Sequence, residues 1–284
     1  MSLLHVLAYI TWDINPDIFT IPMINHAVRW YGLLFASAFL ISQQIMYFIY
    51  KKEGRPVSEI DTLTICMVVA TIAGARLGHV LFYDPIHYFQ NPHKIFMVWE
   101  GGLASHGGII GILTALYLFT RRTGIDYLWI LDRLAIVIAL TCCMIRLGNL
   151  MNSEMIGVPT DLPWGFIFAG RDSIPRHPAQ LYEAIHYFIS FVILFWIWNR
   201  HRDKMKNGFL TGWGLIILFG FRFVDEFFKI DQVQFEEGMI LNMGQLLSIP
   251  FILTGAILLV FKVYKKQEKF TTDKVVVDRE QIRP

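Results

Sequence analysis

The chain has 284 residues, a net charge of only +2 at neutral pH, a hydrophobic content of 55% and a mean hydropathy of +0.46. So small a net charge gives no indication of a nucleic-acid-binding surface. The apolar excess is gathered in long runs, which is typical of membrane-spanning helices and excludes an ordinary soluble domain. Cys66, Cys142 and Cys143 all lie inside these runs, so they predict neither a disulfide framework nor a zinc site.

A helix needs about 20 mainly apolar residues to cross the hydrocarbon core of a bilayer. In chain order the runs predict spans at roughly 28–50, 60–83, 104–121, 127–148, 181–199, 209–228 and 243–263. Glycines that would permit close helix contact lie within five of these spans: Gly32, Gly74, Gly111, Gly214 and Gly255. We therefore expect an all-α membrane protein with about seven transmembrane helices.

Basic residues concentrate in the first, third and fifth connections and at the start of the tail. They are Lys51, Lys52 and Arg55, then Arg121 and Arg122, then Arg200, Arg202, Lys204 and Lys206, and finally Lys262, Lys265, Lys266 and Lys269. Because cytoplasmic loops carry an excess of Lys and Arg, this alternation predicts an N-terminus outside and a cytoplasmic C-terminus.

The spans predict one polytopic transmembrane domain over residues 1–265. The fourth connection, at about 149–180, is long and rich in Gly, Pro and aromatic residues. It predicts a small external cap, with short strands, between the fourth and fifth helices. Residues 266–284 are charged and lack an apolar run of spanning length, so they predict a loose cytoplasmic tail.

Charged residues inside spans are costly and are candidates for function. Arg76 lies late in the second span, Arg146 closes the fourth, and Arg222, Asp225 and Glu226 close the sixth. The predicted topology brings all of them toward the outer leaflet. Snorkelling, or a structural ion pair such as Arg222 with Glu226 at i and i+4, explains any one of them about equally well. It explains the whole set at one depth less well.

His106 follows Gly101-Gly102 and precedes Gly107-Gly108, where the backbone can approach a ligand closely. A histidine at such a position can act as a general base, or can merely cap or shape the loop. Arg146 and Arg222 carry rigid forks of donors that suit phosphate oxygens. Two arginines at headgroup depth predict an anionic phospholipid as substrate.

The segment that begins at Arg146 also carries polar groups suited to holding a lipid headgroup. The Asn149 and Asn152 amides can bind glycerol hydroxyls or satisfy exposed backbone. The remaining external histidines are not spaced as metal ligands, so no metal site is predicted; they are His79, His87, His93 and His177.

Over nearly its whole length the chain resembles the bacterial prolipoprotein diacylglyceryl transferases. The family signature Gly-Arg-x-Gly/Ala-Asn-Phe-x-Asn-x-Glu-x-x-Gly is matched at Arg146, Gly148, Asn149, Asn152, Glu154 and Gly157, whereas Ile145 and Leu150 replace the leading Gly and the Phe. Further similar segments are Arg29-Trp-Tyr31-Gly, Gly74-Ala-Arg76-Leu-Gly, Glu100-Gly-Gly, His106-Gly-Gly, His177-Pro-Ala-Gln-Leu-Tyr182-Glu183 and Phe221-Arg222-Phe-Val-Asp-Glu226-Phe.

The resemblance implies transfer of the diacylglyceryl group of phosphatidylglycerol to the lipobox cysteine of a preprolipoprotein, in the bacterial inner membrane and toward its outer leaflet. A thioether forms and glycerol phosphate leaves, with no metal or organic cofactor and no nucleic acid. His106, Arg146 and Arg222 are the expected catalytic residues. The expected substrate-binding residues are Arg146, Asn149, Asn152, Glu154, Gly157, Arg222, Glu226, Tyr31 and Arg76. The family often has a functional Tyr where this chain has Leu218, so that hydroxyl is absent, replaced or dispensable.

The sequence leaves three other functions to consider. A transporter for an anionic lipid or solute would explain intramembrane charge but not the His-Gly-Gly segment. An intramembrane protease is disfavoured, because adjacent Ser105 and His106 point apart on a helix and because Asp132 and Asp225 are predicted near opposite membrane faces. A non-catalytic scaffold leaves the polar clustering unexplained.

Overall fold

The computed structural model describes residues 9–22, 26–230 and 239–264. The predicted tail at 266–284 lies outside the described residues. The helices are α1 (Trp30–Lys52), α2 (Ser58–Phe82), α3 (Pro85–Gln90), α4 (Ser105–Thr123), α5 (Tyr127–Met151), α6 (Ala179–His201), α7 (Phe209–Asp225) and α8 (Met243–Leu258). A 3-10 turn, Glu226–Phe228, follows α7, and a π-helical turn, Leu259–Tyr264, follows α8.

Five of the helices are long and apolar enough to cross a membrane, namely α1, α2, α5, α6 and α8. The span at α8 includes the start of the π-helical turn and runs over Met243–Phe261. The chain is therefore described as a multi-pass membrane protein. The other two helices at predicted spans are α4, with 19 residues and two arginines in its last turn, and α7, with 17 residues.

The chain forms two compact units, one of residues 1–42 and 131–284 and the other of residues 43–130. The unit boundaries fall within α1 and α5. In the second unit, α2 packs on α4 through glycines. A Cβ at Gly78 would lie 2.8 Å from Cα of Gly107, and one at Gly74 would lie 3.0 Å from Cα of Gly111. Such contact between backbones is the reason for small residues at helix crossings in membranes.

In the first unit, α7 packs against both α6 and α8. A Cβ at Gly255 would lie 2.7 Å from the Gly212 carbonyl oxygen, which again indicates close backbone contact. Gly32 differs from the prediction, because a Cβ there would meet no described atom within 4 Å. Asp132 is fully buried and accepts hydrogen bonds from the backbone N–H groups of Gly208 and Thr211, so its charge stabilises the start of α7.

Short strands lie in the N-terminal segment and in the connection between α5 and α6. They are β1 (Ile10–Trp12), β2 (Asp17–Ile21), β3 (His26–Arg29), β4 (Phe166–Phe168) and β5 (Pro175–Arg176). β4 lies between β1, to which it is parallel, and β5, to which it is antiparallel, while β2 and β3 form a hairpin. The strands before α1 were not predicted, because three to five residues are too few to show the period-two pattern of a strand.

Candidate active site

The last turn of α5 and the loop after it form a polar network. Arg146 Nη1 donates to Asn149 Oδ1 over 3.2 Å, and Asn149 Nδ2 donates to Glu154 Oε2 over 3.1 Å. Asn152 Nδ2 donates to the other carboxylate oxygen of Glu154 over 3.2 Å. The predicted headgroup residues of this segment are thus brought together, and both oxygens of Glu154 are held by amides.

The backbone around Glu154 is sharply turned. Ser153 and Met155 have φ values of 52° and 56°, which are uncommon for residues other than Gly. The Glu154 N–H donates to the Asn149 carbonyl oxygen over 2.9 Å, and the Gln180 side chain donates to the Glu154 carbonyl oxygen. A strained turn persists only where its surroundings fix it, and such turns cluster at functional sites.

Gly157 has a structural explanation. It forms an isolated β-bridge with Lys229, and its N–H donates to the His177 carbonyl oxygen over 3.0 Å. A Cβ at this position would lie 2.6 Å from the Phe228 carbonyl oxygen. Any side chain would therefore separate the loop from the segment that carries Lys229.

A line of buried ion pairs joins the two predicted arginines. Arg146 Nε lies 3.1 Å from Glu183 Oε2, and Lys229 Nζ lies 3.0 Å from Glu183 Oε1. Lys229 Nζ also lies 2.9 Å from Glu226 Oε1, which is 3.6 Å from Arg222 Nη2. The order is therefore Arg146, Glu183, Lys229, Glu226, Arg222. It fixes both guanidinium groups within one network.

Burial differs along this line. The Glu183 side chain has no exposed surface, whereas the Arg222 side chain is 30% exposed and forms the longest ion pair of the line. With Glu154, the cluster holds three carboxylates and three cations, the third cation being Lys229. Arg222 is the cation best able to exchange its carboxylate partner for an incoming anion.

Sequence reasoning did not assign Glu183 and Lys229 to the site. Glu183 lies in an apolar run, so the rule that intramembrane charges are candidates for function would have found it. Lys229 follows the end of the predicted span at 209–228, so the sequence places it in a connection. Its burial depends on the 3-10 turn after α7 and on contact with Gly157, which the sequence pattern does not show.

The start of α8 holds the Glu226 carboxylate. Asn242 caps this helix, accepting from the Gln245 N–H, and its own Nδ2 donates to Glu226 Oε2 over 3.3 Å. A Cβ at Gly244 would lie 2.8 Å from Glu226 Cγ, so only Gly leaves room for this side chain. The positive end of the α8 dipole further stabilises the carboxylate.

Two tyrosines lie beside Arg146. A Cβ at Gly148 would lie 2.8 Å from the Tyr31 ring, and Tyr31 interacts electrostatically with Glu154 and Arg146. Tyr187 is buried and interacts electrostatically with Arg146 and Arg222. The structure thus brings the predicted Tyr31 to the site, together with Tyr187, which was not predicted.

Leu218 packs against the buried cluster of Cys143, Ala184 and Tyr187. A buried tyrosine therefore belongs to the cluster beside Leu218, but it lies on α6 rather than on α7. The hydroxyl of the family Tyr could be absent, replaced or dispensable in this chain. Of these three possibilities, the arrangement favours replacement.

The carboxylate of Asp225 has a local partner, which accounts for its charge within the span. Its Oδ1 lies 2.8 Å from His186 Nδ1, and the His186 ring stacks on Phe221 with ring centroids 4.4 Å apart. The pair links α6 to α7 one turn from Arg222. Asp225 is therefore not a free intramembrane charge.

Arg76 lies in the second unit and is 3% exposed. Its guanidinium donates to the carbonyl oxygens of five residues: Lys94, Ile95, Met97, Gly101 and Gly102. A guanidinium has five N–H donors, and each of its three nitrogens is engaged here. Arg76 thus organises the loop that leads to α4 and offers no free fork for phosphate.

His106 is the second residue of α4, in the second unit, and is exposed. The contact of Gly107 with Gly78 fixes the helix turn that carries it. Within the described ranges, no group of three or more His, Cys, Asp or Glu residues is arranged to hold a metal ion.

A family model described as prolipoprotein diacylglyceryl transferase matches residues 16–261. The chain is 46% identical over 256 residues to the phosphatidylglycerol–prolipoprotein diacylglyceryl transferase of Tolumonas auensis, covering 90% of this chain and 98% of that protein. The protein of the same name from Chloroherpeton thalassium is 44% identical over 265 residues, covering 92% and 97%. The one from Porphyromonas gingivalis is 46% identical over 269 residues, covering 89% and 94%.

Proposed function

The chain belongs to the prolipoprotein diacylglyceryl transferase family, and on that basis we propose that it transfers the diacylglyceryl group of phosphatidylglycerol to the lipobox cysteine of a preprolipoprotein. The names of the relatives supply the two substrates. The observation that supports these residue roles is the line of ion pairs that begins at the buried Glu183–Arg146 pair and ends in the partly exposed Arg222.

The reaction is a displacement at carbon. The cysteine sulfur forms a bond to the glyceryl carbon, the bond from that carbon to the phosphate oxygen breaks, and its electron pair stays on the phosphate. The thiol proton goes to a base, and glycerol phosphate leaves. Charge therefore develops on the phosphate oxygens, where fixed guanidinium groups stabilise it most effectively.

Arg146 and Arg222 are the proposed phosphate ligands, and Tyr31, Asn149, Asn152 and Glu154 hold the glycerol part of the headgroup. Glu226 positions Arg222, to which it is paired. Gly157 acts by keeping the loop close to Lys229. Arg76 acts on the loop before α4 rather than on the phosphate.

His106 is the proposed general base for the thiol. It is exposed at the start of α4, as proton exchange with an incoming peptide requires. A free cysteine has a pKa of about 8.5, so little thiolate forms at neutral pH without a base.

The proposed setting is the bacterial inner membrane, with seven spans in one domain, an external cap at 149–180 and a cytoplasmic C-terminus. The alternation of basic connections supports this topology. Cysteines introduced at Lys52 or Lys204 should resist an impermeant thiol reagent in intact cells, while one at Asp161 should react. Labelling at Lys204 from outside contradicts the topology.

The activity is tested by incubating the purified protein with phosphatidylglycerol and a lipobox peptide. Released glycerol phosphate should appear in proportion to modified peptide and should disappear when the peptide cysteine is replaced by serine. A transporter would leave the lipid chemically unchanged, so intact phosphatidylglycerol with vectorial movement across the bilayer would contradict the proposal.

A further inference from the structure

The turn that carries Glu154 has a backbone conformation that it would not keep unaided. Ser153 and Met155, on either side of Glu154, have φ values of 52° and 56°. In this left-handed region the Cβ of an L-residue crowds the backbone. We call residues 153–155 the headgroup turn. The Glu154 carboxylate meets the Asn149 and Asn152 amides only while the headgroup turn is held in this conformation.

The first contact that holds the headgroup turn comes from the connection between β4 and β5. Arg171 Nε donates to the Ser153 carbonyl oxygen over 3.0 Å. The backbone N–H of Arg171 donates to the Phe168 carbonyl oxygen over 2.8 Å, so its own backbone is fixed to the end of β4. Arg171 is exposed. Water can therefore satisfy the Ser153 carbonyl when Arg171 is removed, but water cannot fix the position of that carbonyl.

The second contact comes from the N-terminal strand. Trp12 ends β1, and its indole N–H donates to the Leu150 carbonyl oxygen over 3.0 Å. The Ser153 N–H donates to the same oxygen over 3.0 Å, which is possible because a carbonyl oxygen has two lone pairs. Carbonyl groups in the last turn of a helix lack partners within the helix. Trp12 therefore fixes the end of α5, from which the headgroup turn starts.

Both donors are anchored in the same small sheet. β1 pairs with β4 so that Trp12 lies opposite Phe168, and the Trp12 ring centroid is 5.5 Å from that of Phe166. Trp12 also packs against the buried cluster of Leu150, Phe166 and Phe168. The sheet thus holds the headgroup turn from two positions, at its start through Leu150 and at its first strained residue through Arg171.

We infer that Trp12 and Arg171 are positioning residues, which keep the headgroup turn in its strained conformation and so keep the Glu154 carboxylate in place for the lipid headgroup. Both act through the turn rather than on the lipid. The identity of the lipid rests on the proposed function, whereas the contacts that hold the turn do not. Because the headgroup is bound before and during transfer, losing either contact should raise KM for phosphatidylglycerol more than it lowers kcat.

The first test removes one donor at a time in the full chain. Trp12→Phe keeps an aromatic ring in the cluster and Arg171→Gln keeps a polar side chain, and each should raise KM for phosphatidylglycerol several-fold with little change in kcat. Trp164→Phe is the matched control, since its indole N–H donates to the Tyr182 hydroxyl over 2.9 Å and not to the headgroup turn. An equal rise of KM in Trp164→Phe would overturn the inference, because it would indicate general loosening of the cap.

The second test removes the strain instead of the contact. Gly adopts positive φ without a Cβ clash, so a headgroup turn with Ser153→Gly depends less on Arg171. Adding Ser153→Gly to Arg171→Gln should return KM close to that of the parent. If Arg171 only stabilised the cap, Ser153→Gly would leave KM high, and that result would overturn the inference.

Hydrogen exchange separates failure of this inference from failure of the proposed function, because it needs no substrate. In nanodiscs, the peptide over residues 150–157 should exchange faster in Trp12→Phe and in Arg171→Gln than in the parent. Ser153→Gly should slow it again in Arg171→Gln, after correction for the intrinsic rate of each sequence. Parent-like exchange in both single variants overturns the inference. The expected exchange in a parent that transfers no lipid supports the contacts and contradicts only the proposed function.

Discussion

Arg146 Nε lies 3.1 Å from Glu183 Oε2, and this carboxylate belongs to a side chain with no exposed surface. Glu183 therefore compensates Arg146 and Lys229 at once. We predict that Glu183→Gln lowers thermal stability and transfer activity together. Removing one partner of a buried ion pair typically costs about 3–5 kcal/mol. Thermal unfolding in nanodiscs and a turnover assay measure both effects.

The matched control for Glu183→Gln is Asp172→Asn. Arg176 donates to Asp172 over 2.6 Å, and this hydrogen bond holds the pKa of Asp172 below its usual range. Water screens this more accessible pair, so its loss should change stability little. If Glu183→Gln and Asp172→Asn have the same melting temperature and the same transfer rate, the buried line of ion pairs contributes neither to stability nor to activity.

Tyr187 gives the second prediction. Its side chain interacts with the Arg146 guanidinium, and it belongs to the buried cluster against which Leu218 packs. Tyr187→Phe should lower kcat more than it changes KM, because hydrogen bonds to charged groups contribute about 1.5–3 kcal/mol. Adding Leu218→Tyr to this variant should restore part of kcat by returning a hydroxyl from α7. Equal kcat in the parent and in Tyr187→Phe would show that the hydroxyl has no role.

The glycine contact between α2 and α4 gives the third prediction. A Cβ at Gly107 would lie 2.8 Å from Cα of Gly78, so Gly107→Ala should separate the two helices. Overpacking of this kind typically costs about 1–3 kcal/mol. Gly170→Ala is the control, since a Cβ there meets nothing within 4 Å. Thermal unfolding should distinguish the two variants. Equal melting temperatures would mean that the crossing of α2 and α4 can accommodate a Cβ at Gly107.

The sequence predicted a helix at each of its seven apolar runs, because such runs depend on composition alone, and five of these helices are long and apolar enough to cross a membrane. It predicted Arg146, Asn149, Asn152 and Glu154 as a group because they lie on one short segment, which the structure folds into one network. It missed Lys229, whose burial depends on a distant glycine. A sequence also does not show that backbone carbonyls accept from the Arg76 guanidinium, and the role of Arg76 toward substrate stays a prediction.

His106 gives the fourth prediction. If it is the base, His106→Gln should keep phosphatidylglycerol binding and lose about 100- to 10,000-fold in rate, the usual contribution of general-base catalysis. Its remaining activity should rise with pH as the substrate thiol ionises unaided. His177→Gln is the control histidine. A pH–rate profile of His106→Gln parallel to that of the parent would assign His106 to lipid binding or loop shape instead.

The central claim is that Arg146 and Arg222 stabilise the departing phosphate, and the mass of the lipobox peptide after incubation with phosphatidylglycerol tests it most directly. The parent and the control Arg200→Gln, changed at an exposed residue, should yield the diacylglyceryl thioether. Arg222→Gln and Arg146→Lys should yield almost none, because losing one such donor costs about 3–4 kcal/mol of transition-state stabilisation. Parent-like yields of modified peptide from folded Arg222→Gln and Arg146→Lys would contradict the account.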